Sequence, residues 1–93
     1  MIKVITENLI DRMEDKIDTY LKPIISDTHY DLEYDYSKRG FLMYIYKGIS
    51  PKTILDKMLS SKRMSRIFNM NMDRSNPRTI VIRFKRWLLY VYK

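Results

Sequence analysis

Ten basic residues lie between Lys57 and Lys93, with Asp73 as the one acid after Asp56. Lys57, Lys62, Arg63 and Arg66 surround one apolar-patterned stretch. Arg74 and Arg78 sit in or beside a polar stretch, and Arg83, Lys85 and Arg86 follow it. Phosphate binding needs Lys and Arg on one surface, and affinity grows with the number that converge. Loops between short helices add backbone N–H donors for phosphate. The expected contact set is Lys57, Lys62, Arg63, Arg66, Arg74, Arg78 and Arg86, with DNA or RNA as partner. The plainer reading of the same residues is a solvated basic face without a ligand.

Asp31, Glu33 and Asp35 form a second constellation. Carboxylates at i, i+2 and i+4 share one strand face. They can hold a divalent cation, as metal-dependent nucleases require. Arg83 and Lys85 repeat the two-residue spacing, so cross-strand charge pairs explain both sets better. Other chemistry is sparse. His29 is the single histidine and there is no cysteine. Disulfides, zinc-thiolate sites and cysteine nucleophiles are therefore excluded. Neither a phosphate-cradling GxxxxGK[ST] loop nor an HExxH pair is present. The expectation is a binding protein with no catalytic, metal or cofactor site.

The aromatic load is high: eight tyrosines, three phenylalanines and one tryptophan. At strand spacing such residues usually form core, but Tyr30, Tyr34, Tyr36, Tyr44, Tyr46, Trp87, Tyr90 and Tyr92 are also able to stack on bases. Trp87, Tyr90 and Tyr92 fall where both faces of the last segment are apolar. They define the alternative function, a protein-binding regulator or inhibitor that presents an aromatic C-terminal strand. The same strand would serve for homodimerisation.

The elements that position these groups follow from periodicity. Thr6 can cap a helix, with Glu7 near its positive end. Leu9, Ile10, Met13, Ile17, Tyr20, Leu21, Ile24 and Ile25 recur at helical spacing, and Pro23 kinks or ends that helix. Residues 30–36 alternate strictly, residues 37–40 form a turn, and residues 41–47 form a second strand, making a hairpin. Ser50-Pro51 starts a helix. Its apolar face is Ile54, Leu55, Met58 and Leu59. Met64, Ile67 and Phe68 fall nearly opposite, so two short helices, 51–60 and 62–68, are expected to meet at Ser60-Ser61. Residues 69–77 read as loop, and Thr79 to about Tyr92 as a strand. The order is α-β-β-α-α-β: an α+β domain with a mainly antiparallel three-stranded sheet and helices on one face. It is similar to the type II KH order, in which a loop between two short helices clamps a nucleic-acid backbone. That family's loop is GxxG, whereas Ser60-Ser61-Lys62-Arg63 stands here. Residues 51–68 also read as a helix-turn-helix with Lys62, Arg63 and Arg66 on the second helix.

Length and charge bound the rest. Ninety-three residues suffice for one domain, spanning 1–93. The longest apolar runs, Phe41–Tyr46 and Trp87–Tyr92, are too short to span a membrane, and the first residues do not resemble a signal peptide. An intracellular location is the expectation. The absence of alanine, with abundant Ile, Lys and Tyr, suggests an AT-rich source such as a low-GC bacterium, its phage or an AT-rich virus. The net charge of +7 is unevenly spread. Residues 1–37 carry four bases against nine acids, a net −5, and residues 38–93 carry fourteen against two, a net +12. A basic surface supplied by the second part of the chain is implied.

Overall fold

The computed structural model describes residues 7–87. Among these, the order is α1 (Glu7–Leu21), β1 (Tyr30–Asp35), β2 (Gly40–Ile45), α2 (Pro51–Ser60), α3 (Lys62–Ile67), β3 (Phe68–Met72) and β4 (Thr79–Phe84). A short 3-10 turn, Asp27–His29, precedes β1. The four strands form one antiparallel sheet in the order β1-β2-β4-β3. The α+β class and the hairpin therefore stand, but the sheet has four strands and not three.

The extra strand is β3, in the stretch read as a loop. Phe68 and Met70 point inward and are buried, while Asn69 and Asn71 are exposed. This is period-two alternation, obscured because asparagine disfavours strands in isolation. Pairing with β4 overrides that preference: Phe68 faces Phe84 and Met70 faces Ile82. The strand inserted between α3 and the last strand also removes the likeness to the KH order. β4 in turn is shorter than expected. It ends at Phe84, and Arg86 and Trp87 are helical. The aromatic C-terminal strand is thus overturned at Trp87, and Tyr90 and Tyr92 lie outside the described residues, as does the Thr6 cap.

The helices cover one sheet face. Ile10, Met13, Ile17 and Leu21 form the buried stripe of α1, at spacings of three and four. Ile54, Leu55 and Met58 of α2 and Met64 of α3 join them in a single core. The phase break between these groups is resolved as the sequence predicts, by two helices. Ser61 alone separates them: its N–H donates to Met58 C=O at 3.1 Å, and its Oγ accepts from Met64 N–H at 3.4 Å. Ser50 caps α2 in the same way. On the inner sheet face an aromatic row crosses all four strands. Tyr34 packs on Phe41 at 5.1 Å, Phe41 on Phe84 at 6.2 Å and Phe84 on Phe68 at 5.8 Å between ring centroids.

Gly40, at the start of β2, pairs with Arg83 of β4. A Cβ there would stand 2.3 Å from Ile82 O and 2.7 Å from Arg83 Cα. Both are backbone atoms of a central strand and cannot swing aside. Gly40→Ala is expected to lower stability by about 2 kcal/mol, measured by urea unfolding. A loss below about 0.5 kcal/mol would show that the strands separate freely at this point.

The Tyr30 hydroxyl ties the start of β1 to α1, donating to Asp18 Oδ1 at 2.7 Å. Burial, and then this bond to a carboxylate, push its pKa well above the ordinary tyrosine value. Tyr34, Tyr44 and Tyr46 are raised too. A raised folded-state pKa means the folded chain holds protons that the unfolded chain has released. This stabilisation is complete below the unfolded tyrosine value of about 10 and is lost as pH rises through the folded values. Melting curves should therefore shift down progressively above about pH 10. Tyr30→Phe should lose about 1 kcal/mol at neutral pH and show a shallower alkaline decline. An equal slope in the variant would exclude Tyr30 as a contributor.

Candidate functional site

The sheet order separates the charges. β1 is one edge and carries Asp31, Glu33 and Asp35 on the face away from the helices. β3 is the other edge, continuous with the basic helix α3. Beside the β1 edge, a cleft of about 580 Å³ is lined by Glu14, Asp18, Asp27 and Asp31 among others. Burial, then repulsion from Asp18, Asp11 and Asp15, raise the pKa of Glu14.

The expected pairing of the acidic stripe with Arg83 and Lys85 is not formed. β2 lies between β1 and β4. Asp35, Gly40, Arg83 and Asn69 make one transverse row, two strand spacings from carboxylate to guanidinium. That is roughly 9.5 Å of backbone separation. The carboxylates find nearer partners. Tyr44 donates its hydroxyl to Glu33 Oε2 at 2.8 Å, and Tyr46 donates to Asp31 Oδ2. Asp35 Oδ1 accepts from Ser37 N–H at 2.9 Å and from the Ser37 hydroxyl. These bonds hold the hairpin turn and depress the Asp35 pKa, with the Ser37 hydroxyl as the largest cause. Alternate residues on a strand stand about 6.6 Å apart, so the three carboxylates form a line and do not converge. Among the described residues no group of three His, Asp or Glu side chains is placed to hold a metal ion. His29 is exposed, in the turn before β1.

The basic residues from Lys57 to Arg86 do not form one set. Lys62, Arg63 and Arg66 are exposed on α3, and Lys57 is exposed in the last turn of α2. Lys85 and Arg86 join this cluster through the backbone. Lys85 N–H donates to Ile67 C=O at 2.9 Å, and the Trp87 indole N–H donates to Arg66 C=O at 3.2 Å. Trp87 is half exposed at that point. Arg74 stands apart, exposed beyond the far end of β3. Its loop is shaped by Asp73 Oδ1, which accepts from the N–H and the hydroxyl of Ser75, each at 3.1 Å.

Arg78 belongs to neither group. Its Nε donates to Ile45 C=O at 2.9 Å, and its terminal nitrogen donates to the carbonyls of Tyr46 and Ile49, the latter at 2.6 Å. Ile45 N–H returns a bond to Arg78 C=O at 3.0 Å. The guanidinium clamps the β2–α2 connection, where Gly48 takes a positive φ of 94°. These bonds engage the guanidinium within the fold, apart from the exposed cations of α2 and α3.

Arg83 moves the other way. Its spacing predicts pairing with the acidic stripe, yet it is exposed beside Asn69 and Asn71. With Lys85 it lines a groove of about 380 Å³ at the β3 edge, together with Leu59 and Ser65 from the helical junction. Recognising β3 in the sequence would have put Asn69, Asn71 and Arg83 on one face.

Comparison with protein-family models, with curated proteins and with solved structures found no match. Among the described residues no helix is long and apolar enough to cross a membrane.

Proposed function

We propose that this chain binds nucleic acid through phosphate contacts from α3, the end of α2 and the β3–β4 side of the sheet. One observation carries the reading: Lys57, Lys62, Arg63, Arg66, Arg83 and Arg86 are exposed on α2, α3, β4 and the segment after it, while the exposed Asp31 and Glu33 lie on β1, at the opposite edge of the sheet from β3. Arg74 extends the set along β3, and Arg78 is left out of it. The partner, DNA or RNA, implies action inside a cell, in keeping with a bacterial, phage or viral source. The test is an anisotropy titration against single- and double-stranded DNA and RNA over a range of salt. Five or six phosphate contacts give a slope of log affinity against log salt of about −4 to −5. Absence of binding at low salt and tens of micromolar protein would exclude the reading.

The second reading is a protein-binding regulator or inhibitor. It is favoured by Leu59 and Trp87, each 47 % exposed, since half-exposed large apolar side chains are common interface anchors. Its interface would be an α2–Trp87 surface, with an affinity that barely responds to salt.

A further inference from the structure

We infer that the β3 edge is a track for one unpaired strand of nucleic acid and not for a duplex; this rests on the phosphate-binding reading above. Among the described residues β3 pairs with β4 on one side only. The bonds from Lys85 N–H to Ile67 C=O and from Asp73 N–H to Thr79 C=O bracket the ladder. Alternation then turns the backbone of Asn69 and Asn71 toward β4, and the N–H and C=O of Met70 toward the open edge. Beside that edge runs the groove, with buried Phe68 and Met70 at its base.

The groups along this edge suit nucleotides whose bases are exposed. The amides of Asn69 and Asn71 offer a donor and an acceptor side by side, the pair that reads a base edge. In a duplex the Watson–Crick edges are occupied by the opposite strand, which leaves such amides only the base edges that open into a groove. The Trp87 ring is half exposed and held through its N–H, so a face is fixed for stacking. Stacking on a side chain needs an unpaired base as well. Arg66 and Lys85 lie at one end of β3 and Arg74 beyond the other. Five strand residues cover roughly 16 Å, a site of about four nucleotides. A duplex would reach the same cations, but α3 has six residues, under two turns, with which to enter a groove.

The experiment titrates the intact protein with a short oligothymidylate, a short oligouridylate and a blunt DNA duplex of equal length. Binding is followed by anisotropy and by the fluorescence of Trp87, the only tryptophan. The single strands should bind about tenfold more tightly than the duplex and quench Trp87. The double variant Arg83→Glu with Asn71→Ala should weaken single-strand binding by about tenfold with its circular dichroism unchanged. Duplex binding as tight as single-strand binding overturns this inference and leaves the phosphate-binding reading standing. So does binding without quenching of Trp87, or with no loss in the double variant. Failure of all three nucleic acids to bind overturns both. Binding of polyglutamate with quenching, in the absence of oligonucleotide binding, points to a protein partner and overturns both as well.

Discussion

Arg78→Ala should lower the unfolding free energy by about 3 kcal/mol, because it strips a charged donor from three backbone carbonyls at once. Each such bond is worth about 1.5–3 kcal/mol in isolation, and water reaching the half-buried loop recovers part of that. For a domain of this length the shift in Tm is roughly 15 °C. Arg78→Lys should recover less than half, since one ammonium cannot span carbonyls on both sides of the turn. Thermal melts of the two variants measure this. The outcome that would sink the clamp is a Tm within a few degrees of the parent, accompanied by a shallower salt dependence of nucleic-acid binding. That result would return Arg78 to the phosphate set.

Lys62→Glu combined with Arg66→Glu should act in the opposite register, on affinity and hardly on stability. Both side chains are exposed on α3. Reversal removes two phosphate contacts and adds two repulsive charges, so binding should weaken on the order of 100-fold near physiological salt. The salt slope should fall by about two. Glutamate at the first position of α3 favours the helix terminus by a few tenths of a kcal/mol, and at Arg66 it disfavours the last turn by a similar amount. The melting temperature should therefore barely move. Reversing Lys16 on α1, within the acidic half, is the control and should leave affinity nearly unchanged. An undiminished affinity in the double variant would move the site off α3.

How legible these features are in the sequence depends on how many residues share a signal. The α1 stripe repeats over four turns, and the 30–36 alternation is unbroken, so both could be read directly. The α2–α3 junction was legible because the apolar phase jumps between Met58 and Met64, and serines stand where caps are needed. β3 was not. Its alternation spans five residues, its outward positions are asparagines that also mark turns, and Phe68 fitted the preceding helix equally well. The end of β4 was misjudged for the converse reason: aromatic and β-branched residues after Phe84 keep their strand preference in isolation, while the chain turns helical at Arg86. Arg78 shows a different limit. Its carbonyl partners lie about thirty residues earlier, and no local pattern distinguishes a clamp from a phosphate contact. The acidic stripe was assigned the wrong partner because register and strand order, not spacing, decide which charges meet.

The strand order β1-β2-β4-β3 has a consequence for motion as well as for contact. With Asp31 and Glu33 exposed on the β1 edge and Lys62, Arg63, Arg66 and Arg83 exposed on or beside the β3 side, the charge is uneven across the strands. In the field of a polyanion such a body feels a torque before it touches anything. It swings until β3 leads and β1 trails, so a larger share of collisions arrives correctly turned. The association rate should then fall with added salt more steeply than an evenly spread charge of +7 would predict. Copies settling along one polyanion would all face the same way, presenting a row of carboxylates outward.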